Sequence, residues 1–420
     1  MQLTYKFNYI DTSGYLKERC VHSKNLYNQS NWNLKQELKE SGTWLRQYAL
    51  DKIMKVTKNL EGEINYKLLK AQTSQQVLAQ LDHNWSSYFK SLKDWRKNPS
   101  KYKSKPNPPR YLKETNLLIY TNQSSKIKNN KLFLDKNFFI AIPEYKGKDF
   151  TKYQQIRILP RENNLFEIEI IYKQDINNAK LDYDTAVSID LGVNNLVTLV
   201  SENQPIIFNG KILKAYNQFY NKRKAKLCSI KDKMGIKRYT KLLYKLEHNR
   251  KHFIKDYLHK VSRNIVNYCI KNQIGTLVLG YNKDWKDSIR TGKRNNQTFV
   301  SIPHSQLMKY LEYKCGLVGI DLLKTEESYT SKCDSLSLEP LKKQEEYLGK
   351  RIKRGLFQSK VGKLINADVN GALNILRKVI GDSFAQKIID RGLLFRPIKI
   401  RNLFDSNSLQ TFSLKEVNAI

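Results

Sequence analysis

The stretch Ala186-Val-Ser-Ile-Asp-Leu-Gly-Val-Asn-Asn-Leu-Val-Thr-Leu-Val200 opens on an apolar run that ends on Asp190, turns at Gly192 and resumes as a second apolar run from Leu196. Two such runs joined by a short polar turn read as neighbouring strands. Ile206 to Phe208 adds a third strand. Further on come a long basic helical stretch from Lys211 to about Asn272, a strand at Leu277 to Leu279, a helix from His304 to Leu317, a strand from Ile320 to Thr325 and a last helix starting at Ala367. The order is β-β-β-α-β-α-β-α, and a change of composition at Asp182 to Asp184 marks where it begins.

That order is the one of an RNase H-like domain, and the residues before it read differently. Leu3 to Ile10 alternates apolar and polar residues and closes at Asp11-Thr-Ser-Gly14, a strand ending in a turn. Val77, Leu81, Trp85, Tyr88 and Leu92 recur at helical spacing within Leu68 to Leu92. Between Lys90 and Lys113, four prolines exclude regular structure, and Trp95, Tyr102 and Tyr111 alternate with cations. Short strands at Leu117 to Tyr120, Lys131 to Leu134, Phe138 to Ile142 and Leu165 to Tyr172 then read as a small β-barrel interrupted by the helices.

With 420 residues, 40% of them hydrophobic, the chain can build cores for two or three domains. It carries 75 Lys and Arg against 39 Asp and Glu, a formal charge of +36 that calls for a polyanion. Nucleic acid leads; a ribosome-associated protein, a membrane-surface protein and a Lys-rich proteome are the bland alternatives. The 25 tyrosines, many beside cations, favour unpaired bases as ligands. Cys20, Cys228, Cys269, Cys315 and Cys333 include no C-x-x-C pair, which speaks against a disulfide framework and for a reducing compartment. The start shows no signal peptide and no long apolar run follows, so a cytoplasmic location is expected, nucleoid-associated in a bacterium, with no membrane partner.

Phosphodiester cleavage by two metals needs several carboxylates around hard divalent cations. Asp190 ends an apolar strand beside Gly192, where an ordinary turn aspartate is the competing reading. Asp368 begins the helix of Ile365-Asn-Ala-Asp-Val-Asn-Gly-Ala-Leu-Asn-Ile-Leu376, where complementing the helix dipole is the competing reading. Taken together, SIDLGVNNLVTLV, SYTSKC and INADVNGALNIL closely resemble the RuvC nuclease segments of the TnpB family, also known as OrfB transposases, and more distantly those of type V CRISPR effectors.

The resemblance covers nearly the whole chain and implies an α+β, multidomain fold: an RNase H-like (RuvC) α/β nuclease domain plus a small β-barrel wedge domain with an inserted helical lobe. It implies the first wedge strand at 1–14, the helical recognition lobe at 15–97 and the rest of the barrel at 98–181. The nuclease domain then covers 182–332, with basic helices 211–272 and a lid 281–303. A basic insert at 333–363, the last catalytic helix at 364–380 and an extension at 381–420 complete it. The implied activity is cleavage of double-stranded DNA that matches a guide RNA made from the transposon end and lies next to a short motif read by the protein. The implied cofactor is two Mg²⁺ ions, with Mn²⁺ as a substitute. Base pairing would supply the sequence specificity.

The chain departs from the family at two places. Most members end the fourth strand on a glutamate, where this sequence has Gly280 in Leu277-Val-Leu-Gly280-Tyr. Either the nuclease is dead or the acid has moved. The next strand runs into Glu326-Glu327-Ser-Tyr-Thr-Ser331-Lys-Cys333, which resembles the E-Y-R-T-S-K-C string of Fanzor relatives and of TnpB branches with a rearranged acid. That match points to Glu327, with Glu326 as the alternate, since strand alternation puts the two on opposite faces. Gly280 would leave room for the reach. Asp284 and Asp287 are weaker candidates in a polar segment.

Secondly, family members carry two cysteine pairs before the last aspartate, whereas only Cys333 stands here, so no zinc is expected and the insert reads as a basic flap or a solvated loop. The expected metal ligands are Asp190, Glu327 and Asp368. The expected nucleic-acid contacts are Lys101, Tyr102, Lys103, Lys105, Arg110 and Tyr111 in the extended segment, Arg223, Lys237, Arg238, Lys241 and Arg250 on the basic helices, and Lys350, Arg351, Lys353 and Arg354 in the insert. His248, His252 and His259 have no acid partners in the pattern and read as surface or packing residues. No phosphate-binding loop of the nucleotide hydrolases occurs. A site-occupying binder without cleavage is the second reading, and a strand-joining transposase the third.

Overall fold

Asp11 is buried and receives hydrogen bonds from Ser13 N (3.1 Å), Ser13 Oγ (2.7 Å), Gly14 N (3.1 Å) and Leu16 N (2.8 Å), so one carboxylate closes the first turn and caps the helix behind it. This computed structural model describes residues 1–143, 150–161, 164–176, 179–281, 302–400 and 403. The chain divides into two units, Met1–Gln174 and Asp175–Val417.

In the first unit, β1 (Gln2–Ile10) is followed by α1 (Tyr15–Glu40), α2 (Gln47–Met54) and α3 (Ala71–Lys97). The strands β2 (Leu118–Thr121), β3 (Lys126–Lys128), β4 (Lys131–Asp135), β5 (Phe138–Ala141), β6 (Tyr153–Pro160) and β7 (Leu165–Lys173) come after them. The strands expected to make one small barrel are hydrogen-bonded as two antiparallel sheets, ordered β1-β7-β6-β2 and β3-β4-β5. Leu16, Leu26, Leu34, Leu78 and Leu81 build the helical core, and Trp85 donates its indole N–H to Asn31 Oδ1 at 2.9 Å.

The expected end of regular structure at Lys90 is corrected: α3 runs on to Lys97, because charged residues are good helix formers and the first proline comes only at Pro99. Beyond it the extended segment is strapped down. Asn28 exchanges two hydrogen bonds with the backbone of Leu112 (2.9 and 2.8 Å), and Asn31 Nδ2 donates to Pro109 O at 3.2 Å.

The second unit holds β8 (Asp182–Leu191), β9 (Asn195–Val200), β10 (Ile206–Asn209), α4 (Lys211–Lys233), α5 (Lys241–Lys271) and β11 (Ile274–Gly280). After them come α6 (His304–Val318), β12 (Asp321–Thr325), β13 (Lys350–Lys353), β14 (Leu356–Gln358), β15 (Leu364–Asn366), α7 (Ala367–Ile380), α8 (Asp382–Asp390) and β16 (Ile398–Ile400). Six strands form one sheet, β12-β11-β8-β9-β10-β16. β11 runs parallel to β8 and β12, and every residue of β11 is buried, as a strand covered on both faces requires. One face packs on α7, through Ala186, Val200, Ile207 and Val278 against Val369, Ala372, Leu373 and Leu376.

Two expectations change here. The single basic helical stretch is two helices, and Lys237 and Arg238 lie in the turn between them. The insert is built rather than loose: β13-β14-β15 form a small sheet with Phe357 and Ile365 buried. An edge strand, β16, runs parallel to β10 where the sequence pattern gives no strand. Among the described residues no helix is long and apolar enough to cross a membrane. Asp284, Asp287 and most of the expected lid lie outside the described residues.

Candidate active site

Asp190 is the last but one residue of β8, opposite Thr198 of β9. β11 pairs Leu279 with Ile189, which puts Gly280 beside Asp190, and Gly280 pairs in turn with Thr325 of β12. The three strand ends therefore stand in one row under α7. Ser188 Oγ, two residues before Asp190 and on the same face, donates to Ala372 O of that helix at 2.6 Å. A Cβ on Gly371 would come within 3.1 Å of Asp190 Oδ2, so a side chain there would crowd the carboxylate.

Glu327 follows β12 and turns back over Gly280. A Cβ at Gly280 would meet Glu327 Oε1 at 2.5 Å and Glu327 Cγ at 2.9 Å. Glu326, by contrast, is exposed and hydrogen-bonds Ser328. The turn beyond is gripped by α7: Asn374 Nδ2 donates to Thr330 O (2.9 Å) and Cys333 O (2.7 Å), Asn370 Nδ2 to Cys333 O (2.9 Å), and Lys378 Nζ to Glu326 O (3.0 Å) and Ser328 O (2.6 Å). The asparagines of the D-x-N-G-A-x-N string thus hold the segment that aims Glu327.

Asp368 sits in the first turn of α7, whose cap Asn366 accepts from Asp368 N (2.9 Å) and Val369 N (3.3 Å). Asn195 Nδ2 donates to Asp368 Oδ2 at 2.6 Å, and the half-exposed Arg351 lies 3.7 Å from Oδ1. His304 Nε2 bonds Gly192 O at 2.9 Å and so fixes the turn after Asp190.

Negative charge is poorly compensated in this place. Burial, then the charges of Glu327 and Asp368, hold Asp190 well above the usual carboxylate range, against the opposing pull of Arg351. Burial pushes Glu327 up to about 7, Lys378 opposing. Groups shifted in this way gather at functional sites. Among the described residues no three His, Cys, Asp or Glu side chains close around a single metal position. Two features nevertheless suit hard divalent cations: oxygen donors on separate parts of the chain, and the buried Thr198 hydroxyl, which has no hydrogen-bond partner among the described residues.

The basic candidates divide. Lys103, Lys105 and Arg110 are exposed, and Tyr111 lies under Lys35 Nζ at 4.2 Å. Lys101 pairs with Asp94 (2.9 Å), and Tyr102 donates to the same carboxylate at 2.6 Å, which draws Asp94 down to about 2. Arg223, Lys237, Arg238 and Lys241 are exposed on α4, α5 and their turn, whereas Arg250 ties the two helices together through Asn217 Oδ1 (2.7 Å) and the ring of Tyr220 (4.9 Å). Lys350, Arg351, Lys353 and Arg354 are exposed on the β13-β14 hairpin. His248 and His252 are exposed; His259 stacks on Tyr310 at 3.9 Å, and burial lowers it to about 4.

The family described as Probable transposase, OrfB_IS605, matches residues 169–286, and the one described as Cas12f1-like, TNB domain, matches residues 304–375. The chain is 27% identical over 354 residues to the TnpB-like protein ORF457 of Acidianus two-tailed virus, covering 75% of this chain and 74% of that protein. These likenesses are to OrfB-type transposases, Cas12f1-like proteins and a TnpB-like protein. The fold of the chain is similar to that of the protein in the solved Cas12f1-sgRNA-target DNA complex, at a TM-score of 0.54 and 16% identity, over 86% of this chain and 82% of the other.

Asn195, Thr198, Asn370, Asn374 and Lys378 carry no role in the sequence reading. The two α7 asparagines carried a signal, since each recurs in the quoted motif. Asn195 and Thr198 carried none, because their place beside the acids depends on strand register.

Proposed function

We propose that this chain is an RNA-guided DNA endonuclease that cuts by metal-assisted hydrolysis, working on DNA in the cytoplasm. The observation that carries the reading is Glu327 reaching into the space over Gly280, in line with Asp190. A carboxylate in that place supplies what the fourth strand lacks. Asp190, Glu327 and Asp368 would hold two Mg²⁺ ions, which on binding polarise the scissile phosphate and lower the pKa of water. Asn195 orients Asp368, and the α7 asparagines and Lys378 orient the Glu327 turn. The exposed cations of α4, α5 and the β13-β14 hairpin would follow the phosphates of a guide RNA from the transposon end and of matched duplex DNA. The first unit we read as the wedge and helical lobe, which would read the short adjacent motif.

The test is the purified ribonucleoprotein with matched duplex and Mg²⁺. Wild-type protein is expected to cut, and Asp190→Ala, Glu327→Ala and Asp368→Ala are expected to retain RNA while cutting is lost. Cutting by Glu327→Ala would remove the relocated acid. Gly280 also motivates a second reading, a guided binder that has lost cleavage; protection of the matched DNA without a cut by wild type would favour it.

A further inference from the structure

Between Glu327 and Arg351 the chain makes a knuckle around two buried carboxylates. Asp334 is 0% exposed and Glu339 2%. Asp334 Oδ1 accepts from Leu336 N at 3.1 Å, and Oδ2 accepts from Ser337 Oγ (2.7 Å), Ser359 Oγ (2.6 Å) and Lys360 N (2.9 Å). All four donors belong to its own chain, three of them on Oδ2, so the carboxylate is held from several sides at once. Glu339 accepts from Asp334 N (2.6 Å) and Leu348 N (2.9 Å), and Ser335 N donates to Asn370 Oδ1 at 3.0 Å.

These bonds join three places that matter to the acids. Ser359 and Lys360 follow β14 directly. That strand pairs Phe357 with Arg351 on one side and Leu356 with Asn366, the cap of α7, on the other. Asp334 itself ends the turn that starts at Glu327, where Thr330 holds Glu327 O through its N–H (3.2 Å) and its hydroxyl (2.8 Å). Charge-assisted hydrogen bonds inside a buried network are strong, and half-satisfied networks fail together.

We propose that Asp334 is a positioning residue of the nuclease: its carboxylate fixes the Glu327 turn and the Arg351 hairpin in one frame with the start of α7. The proposal rests on the nuclease reading for its functional part only. Asp334→Asn keeps the shape but puts an amide N–H₂ against donors, and Ser359→Ala removes one bond of the four should the first variant fold poorly.

In full-length ribonucleoprotein, hydrogen exchange of the Leu336 and Lys360 amides, which the Asp334 carboxylate holds, should rise about tenfold or more in Asp334→Asn, while the β8 and β11 amides stay as in wild type. Cleavage should need about ten- to a hundredfold more Mg²⁺ for half its maximal rate, the range seen when groups that orient metal ligands are lost. Asp334→Asn combined with Ser359→Asp returns the carboxylate from the other strand and should restore both readouts; a residue that merely fills space would not be rescued. Wild-type exchange at Leu336 and Lys360 in both single variants overturns the hub, and raised exchange with unchanged Mg²⁺ dependence overturns the positioning role. If wild-type protein does not cut, the nuclease reading fails while the exchange measurements still decide the hub.

Discussion

The carboxyl end of Glu327 occupies the volume that a side chain on Gly280 would need, with Oε1 only 2.5 Å from where a Cβ would stand. The two positions exclude each other. Gly280→Ala should therefore push aside Glu327 and Ile375, whose Cδ1 would stand 2.6 Å from the new Cβ, and lower cleavage by about 10- to 100-fold, with RNA retention unchanged. Gly280→Glu combined with Glu327→Gly returns an acid to the fourth strand and should recover part of the rate. Single-turnover cleavage of matched duplex measures both, and full activity of Gly280→Ala would contradict the exclusion.

Thr198 faces the same side of the sheet as Asp190, and its hydroxyl is buried without a protein partner among the described residues. An unsatisfied buried hydroxyl costs about 1–3 kcal/mol. Thr198→Val should raise the stability of the metal-free protein by about 1 kcal/mol and lower the cleavage rate, a trade expected where an active site carries strain. Denaturant unfolding in chelator beside cleavage kinetics checks it; a loss of stability would mean that the hydroxyl is satisfied after all.

Asn374 is fully buried, donates to Thr330 O and Cys333 O, and accepts from Arg377 at 2.8 Å. Asn374→Ala leaves several of these groups unpaired at once and should cost about 3 kcal/mol. Thermal unfolding is the measurement, with Asn374→Asp as a variant that keeps the acceptor for Arg377 but loses both donated bonds.

Lys314 on α6 is 5% exposed and donates to His259 O and Ser262 Oγ on α5, both at 2.7 Å; burial lowers it to about 7. In the unfolded chain it titrates near ~10.4. Between those values the unfolded state binds more protons, so its contribution makes stability rise with pH from about 7 to about 10, and below that window the contribution is flat. Lys314→Met should flatten the rise, as denaturant midpoints at about pH 6.5 and about pH 9 would show.

Strand order and the two aspartates were readable because an apolar run ending in a carboxylate is a local pattern. Gly280 and Glu327 could be set against each other because adjoining strands in this order end side by side. Thr198 and Asn195 could not be read, since register is fixed only when strands pair. Asp334 looked like part of a polar loop because its partners Ser359 and Lys360 lie 25 and 26 positions on. Separation along the chain also kept Arg351 from being paired with Asp368: it reads as one cation in a run and stands 3.7 Å from that carboxylate. Lys90 to Lys97 misled in the other direction, since the turn to basic composition came before the helix ended.

β16 extends the edge of the sheet with residues that follow α7, and Asp190, Glu327 and Asp368 stand on three elements spread along the second unit. During synthesis Asp190 leaves the ribosome long before Asp368 exists. A growing or prematurely terminated chain that stops short of position 368 holds an incomplete set of acids, however well its first strands have paired. The three carboxylates thus come together late in the life of each molecule.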